Sequence, residues 1–380
     1  MKLNKNVIAF SEAYPDVAPL LEKFEDYFHQ YLFEVEGKKN KAGSFKTYAQ
    51  NAEGREVPIT FAEKEALINS EFRATVYKLA GVQNPKMLPD IVWSTNPNVG
   101  WYTFAIVSTM IDAVLPDVLI DTIGLYTDIR NIGWGDSAVF NIEPRDLFPV
   151  SKAGRGKRVG ELQKQFNGQI ALVPENHEMT VAVALYRVLS GAESLARFAA
   201  KAIRSMETQV TIDAFTAFNT AMLALPTTAG NAQLRAAGWS ADTFVNFAQK
   251  VSAWNGGAQA IALGTKRALA KVLPLNANYR YDIESDFVRV GYIRNLAGVD
   301  TLELPQVADW ENPFGLKLND DAIYIMSPSA QKPVKLVLEG TTLSYTSAQF
   351  DAANLTQTTT FQKAWVAGIA TNAIAATITL

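Results

Sequence analysis

The sequence predicts an α+β protein built from more than one unit, and three observations carry that prediction. One helical stripe runs from Gly191 to Leu225, about 50 Å at 1.5 Å per residue, far longer than an ordinary globular helix. From about 230 to 333 short helix and strand patterns alternate, as in a compact α/β unit. The chain then closes on β-branched, Thr-rich runs, and a terminal strand must join a sheet, here one begun earlier, so the first unit is expected to be discontinuous.

Taken in order, residues 15 to 33 place Val17, Leu20, Leu21, Phe24, Tyr27, Phe28, Tyr31 and Leu32 at spacings of three and four, the stripe of an amphipathic helix. Its other face carries Asp16, Glu22, Glu25 and Asp26. Two readings stand: a helix folded onto its own domain, or a terminal arm whose Phe24, Tyr27, Phe28 and Tyr31 dock on a neighbouring subunit. Trp93 to Ile129 predicts one or two helices ending in a turn. Ser137–Ile142 and Gly168–Val173 alternate like the arms of a hairpin, yet the segment joining them is far longer than a hairpin turn. A third strand is expected over Met179–Leu185, and Ser190 with Glu193 spells a capping box that would open the long helix. Further on, Ser240 should cap a helix over 241–251, and Ala258–Leu263 a buried strand. Thr265 should cap a short helix ending at Pro274. Val288–Arg294, Asp300–Leu304, Ala322–Met326, Val334–Leu338, Thr342–Thr346, Phe361–Ile369 and Ala373–Leu380 read as strands, the last two joined at Thr371-Asn372.

Composition narrows the functions. The 380 residues carry 35 Lys and Arg against 38 Asp and Glu, a net charge of -3, which argues against a surface built throughout to grip nucleic acid. With no cysteine there are no disulfides, thiolate zinc sites or Cys nucleophiles. Val7–Phe10 is too short for a signal-peptide core, and the apolar runs are broken by Asp, Pro or Thr before about 18 residues, so the chain reads as soluble.

Catalytic motifs fail at their second half. Gly135-Asp136-Ser137 begins a nucleophile elbow, but position 139 is Val; His177-Glu178 begins a zinc motif, but position 181 is Val. Gly154, Gly156 and Gly160 miss the dinucleotide spacing, and Gly264-Thr265-Lys266 reverses the phosphate-loop order. Asp112, Asp117 and Asp121 read as solvated carboxylates, and His29 and His177 as non-catalytic. No catalytic, cofactor or metal residue is assigned. The one concentrated charge is Lys152, Arg155, Lys157, Arg158 and Lys164 against Glu161 in the long loop, either a solvated tip or an arm docking on an acidic surface of the next subunit, the acidic N-terminal helix being one candidate.

This order of parts resembles the major capsid protein of tailed bacteriophages, the Hong Kong ninety-seven type fold shared with encapsulins. Locally, Ala260-Ile261-Ala262-Leu263-Gly264-Thr265-Lys266-Arg267-Ala268-Leu269 is similar to that family's axial strand-to-helix step, and Lys363 to Ala375 to its closing hairpin. The resemblance implies an N-terminal arm (1–92), the start of a peripheral domain (93–131) and an extended loop across a neighbour (132–175). It also implies a peripheral domain with the spine helix (176–229), an axial domain (230–333) and C-terminal strands returning to the peripheral domain (334–380). It further implies a non-enzymatic, cofactor-free protein whose partners are copies of itself in hexamers and pentamers of an icosahedral shell around double-stranded DNA. Scaffold, portal and decoration proteins, assembly in the host bacterial cytoplasm and residence in the virion complete that picture, with no membrane or small-molecule substrate. Some members cross-link the loop through a Lys and an Asn, which makes Lys152 or Lys157 a candidate. The rivals are an encapsulin-type nanocompartment enclosing a cargo enzyme and an α/β hydrolytic enzyme with no recognisable motif.

Overall fold

In the computed structural model, residues 14–15, 17–35, 48–50, 56–84, 92, 96, 98–143, 167–228, 230, 232–272, 290–310, 312–328, 331–346 and 356–380 are described. Helix α1 (Ala18–Glu34) is followed by a small antiparallel pair, β1 (Tyr48–Gln50) and β2 (Glu56–Pro58), and by α2 (Phe61–Leu79). The start of α2 is set by a capping box. Thr60 Oγ1 accepts from Glu63 N–H at 3.3 Å and the Glu63 carboxylate accepts from Thr60 N–H at 2.7 Å.

Helix α3 (Asn98–Ile123) runs unbroken through Pro116. It is long and apolar enough to cross a membrane, which corrects the expectation that no such stretch exists, but 83% of its most apolar window is buried inside the chain. Its apolarity on all sides is that of a core helix.

Two sheets flank this helical layer. The first takes β3 (Thr127–Ile132), β6 (Glu175–Val183), β14 (Val334–Thr346) and β15 (Gln357–Ile369) in the order β3-β14-β15-β6, parallel at β3/β14 and antiparallel elsewhere. Strands β4 (Ala138–Ile142) and β5 (Gly168–Leu172) form the expected antiparallel ribbon, Ala138 opposite Leu172 and Ile142 opposite Gly168. Residues 144–166, which join them, lie outside the described residues, and with them Lys152, Arg155, Lys157, Arg158 and Lys164.

The third expected strand starts earlier, at Glu175, and stops at Val183, because residues 185–190 turn into a short helix, α4 (Leu185–Ser190). That helix also corrects the cap of the spine. Gly191 sits at φ +82 and ends α4, and the Ser190 hydroxyl donates backwards to the Arg187 carbonyl. The spine helix α5 (Leu195–Leu223, 29 residues) instead opens at Ser194, whose Oγ accepts from Arg197 N–H at 3.2 Å.

The second sheet, β7-β16-β13-β8-β10-β9, is mixed and six-stranded, from β7 (Arg235–Ala237), β8 (Ile261–Gly264), β9 (Asn295–Leu296), β10 (Val299–Glu303), β13 (Ala322–Met326) and β16 (Ala376–Thr379). Helices α6 (Ala241–Trp254, capped by Ser240) and α7 (Lys266–Leu269, capped by Thr265) cover one face. The short pair β11 (Ala308–Asp309) and β12 (Gly315–Leu316) stands apart from both sheets. Residues 290–294 are not a strand.

The C-terminus departs from expectation. β14 and β15 return to the first sheet, but β16 continues into the second, between β7 and β13, so β15 and β16 are not a hairpin. The chain crosses between sheets twice after residue 326. The other face of the second sheet joins the main core, where Phe218 of α5 lies 5.0 Å from Tyr126 and 4.9 Å from Tyr324 between ring centroids, and Tyr324 Oη donates to Asn219 Oδ1 at 2.6 Å. The spine helix is therefore the beam on which both sheets rest. Burial holds the Tyr324 and Tyr126 phenols well above the usual tyrosine range.

Candidate assembly surfaces

The four aromatic residues expected to reach a neighbour do not face outwards. Phe24, Tyr27 and Phe28 have no exposed surface and Tyr31 very little; they belong to the same core as α2, α3 and the spine helix, with Tyr27 stacked on Phe61 at 5.3 Å. Of the two readings of α1, the structure takes the first and corrects the second. The stripe is wide enough to need a large apolar partner, and α2 with α3 supplies one in the same chain.

The acidic face of α1 does stay open. Glu22, Glu25, Asp26 and His29 line a groove of about 410 Å³ with Asp117, Ile120 and Asp121 of α3. Partial burial there, with Asp117 as neighbour, pushes the Glu25 carboxyl up. Asp112, five residues before Asp117 on α3, is no solvated carboxylate. It is buried and accepts from Lys363 Nζ (2.7 Å), Thr342 Oγ1 (2.7 Å) and Thr342 N–H (2.8 Å).

That buried pair holds an irregularity in β14. Pairing with β15 shifts register between Glu339 and Leu343, where Gly340 sits at φ +55. The bulge turns Thr342 N–H away from the ladder, and Asp112 satisfies it; the Gly340 carbonyl accepts from Lys363 Nζ at 2.7 Å.

On the outer side of the same bulge the extended loop takes root. The Trp134 indole lies against Gly340, and Gly135 N–H donates to Glu339 Oε1 at 2.8 Å. Ala138 and Phe140 pack on Val337 with Ile132, Leu172 and Val366, and the Arg130 guanidinium stands 4.2 Å over the Phe140 ring. The first sheet is thus covered by helices on one face and by the root of the ribbon on the other.

A Cβ at Gly340 would collide with the indole and would sit at a left-handed φ. Gly340→Ala is expected to lower stability by roughly 1–3 kcal/mol by displacing the Trp134 indole, read as a lower unfolding midpoint.

The two histidines are kept apart. His29 lies in the acidic groove, whereas the His177 ring stacks on Trp365 at 3.7 Å, its Nδ1 meeting the Glu175 carbonyl (3.0 Å) and its Nε2 facing Asp213 (3.7 Å). Asp213 also accepts from Trp365 Nε1 at 2.9 Å, so this cluster fastens β6 and β15 to the spine helix. Nδ1 is within hydrogen-bond distance of the Glu175 carbonyl, and Nε2 stands beyond that distance from Asp213. Among the described residues no three His, Asp or Glu gather to hold a metal ion.

Among the described residues the surface offers open grooves and a ribbon rooted on the first sheet, with no gathered catalytic or metal-binding side chains. The class of protein is given by its family, that of shell-building capsid proteins. A profile of the family described as "SPbeta prophage-derived putative capsid protein YonB" matches residues 64–379, and the chain belongs to that capsid-protein family. It is a structural protein of the phage capsid class.

Among solved structures, the chain is similar to the capsid of a native GTA particle (11% identity, 68% of this chain, 89% of that chain, TM-score 0.47). It is likewise similar to the capsid of cyanophage P-SCSP1u (13% identity, 67% and 86%, TM-score 0.45) and to a virus-like particle from Pyrococcus furiosus (10% identity, 70% and 95%, TM-score 0.41). No curated protein matches the sequence.

Proposed function

We propose that this chain is the major capsid protein of a tailed bacteriophage, assembling as hexamers and pentamers into an icosahedral shell around double-stranded DNA. The single observation that carries the reading is the capsid-family match across residues 64–379. A net charge of -3 fits a shell that encloses a duplex without gripping it, because tight attraction to the inner wall would arrest the incoming DNA. In this reading the four-stranded sheet with the spine helix is the peripheral domain and the six-stranded sheet, α6 and α7 are the axial domain. Assembly takes place in the host bacterial cytoplasm, with scaffold, portal and decoration proteins as further partners.

The extended loop is proposed to lie across the next subunit, its Lys152, Arg155, Lys157, Arg158 and Lys164 meeting carboxylates there. The carboxylate groove of α1 and α3 supports that pairing by charge. Expressing the chain and viewing it by negative-stain microscopy tests the whole: shells, sheets or capsomers are expected, and a monomer at all concentrations overturns it. Replacing the five loop cations by Gln should cut particle yield and remove most of its salt dependence, since exposed charge pairs are screened over about 10 Å at 0.1 M salt. Particles filled with protein and free of DNA would move the chain to the nanocompartment reading.

A further inference from the structure

The hairpin β11–β12 has little backbone pairing to hold it. Its two strands pair over only two positions, Ala308 with Leu316 and Asp309 with Gly315, too few to be stable without support. Yet it projects the two most exposed large apolar side chains among the described residues, Phe314 (105%) and Trp310 (84%), with Leu316 (57%) beside them. Single exposed aromatics such as Trp254 need no explanation, whereas three large apolar side chains exposed within seven residues of one hairpin call for one.

The tip is held outwards. Asp309, almost buried, pairs with Lys317 Nζ at 3.1 Å and accepts from Asn312 Nδ2 at 2.6 Å, while Gly315 N–H donates to the Asn312 carbonyl at 2.9 Å. Phe314 sits at φ +61, a conformation that non-glycine residues adopt at a cost and that the surrounding bonds impose. A hairpin presenting a Trp and a Phe has the make-up of an interface anchor, because an aromatic side chain supplies a large contact area through only two χ angles.

Its surroundings indicate the occupant. Beside the tip, Lys201, Arg204 and Lys317 line a groove of about 640 Å³ with Trp310. Two of these cations are ion-paired, Arg204 with Glu207 and Lys317 with Asp309, which lines the same groove, so the excess charge at the rim is that of Lys201. Elsewhere the same chain carries the opposite surface, the groove of Glu22, Glu25, Asp117 and Asp121 with Ile120 exposed on its wall. An aromatic tip with a lysine beside it complements an exposed isoleucine among carboxylates.

We propose that Trp310, Phe314 and Leu316 form a subunit-to-subunit anchor that docks on a second copy of this chain. The inference rests on the shell reading above and adds to it a contact made by the hairpin beside the spine helix, which draws on the same α1–α3 groove as the extended loop. The contact is heterologous, tip to groove, and so propagates from copy to copy.

Hydroxyl-radical footprinting of the wild-type chain, unassembled and assembled, tests it without a variant. Protection of Trp310 and Phe314 by several-fold in the particle is expected, and unchanged reactivity overturns the anchor. The Trp310→Ser, Phe314→Gly double variant adds a second readout. Because glycine accepts φ +61 without strain, the unassembled variant should keep its unfolding midpoint while particle yield in sedimentation falls by roughly tenfold or more. Particles at wild-type yield overturn the anchor and leave the shell reading standing; wild-type chain that forms no particles overturns both.

Discussion

Asp112→Ala is expected to destabilise the unassembled chain by about 3–5 kcal/mol, seen as a large drop in the urea midpoint. The size follows from what the substitution leaves behind. Lys363 Nζ, 4% exposed, would keep only the Gly340 carbonyl, and Thr342 would lose the acceptor for both its N–H and its hydroxyl. A buried ammonium without its carboxylate costs far more than the pair contributes, because desolvation is no longer offset. The Asp112→Leu, Lys363→Met double variant separates the two effects and should recover most of the loss. A double variant as unstable as Asp112→Ala would show that the bulge, and not the unpaired charge, sets the cost.

Phe28→Ala is the second large effect. With Phe28 fully buried among Phe24, Tyr31 and the rest of the main core, truncation should cost about 3–5 kcal/mol in the unassembled chain. A true docking arm behaves in the opposite way, leaving the isolated subunit as stable as before and weakening only the particle. Chemical denaturation of the unassembled variant distinguishes the two, and an unchanged midpoint would restore the arm reading that the structure corrects.

Local chemistry was legible wherever it was self-contained. Ser240 and Thr265 cap α6 and α7 because an N-cap needs only a hydroxyl three residues ahead of a free N–H. The ribbon pairing of Ala138–Ile142 with Gly168–Leu172 follows from alternation alone, as does most of the spine helix. The same local rule misled at Ser190, where two capping-competent serines lie four residues apart and Gly191, at φ +82, decides for Ser194. The capping box at Thr60 and Glu63 carried equal information and would have located α2.

The kind of protein was legible in the residues alone: mixed helices and strands, the long spine, the discontinuous β-rich unit, and an order of parts resembling a capsid protein. The pairings across hundreds of residues came only with the folded chain. It joined Asp112 to Lys363, sent β16 to the six-stranded sheet instead of back beside β15, turned the α1 stripe inwards and left Trp310 and Phe314 outside. An apolar stripe or a β-branched run states that it must be covered, since burial depends on area, but the covering partner is chosen by competition among all the surfaces the folded chain brings within reach.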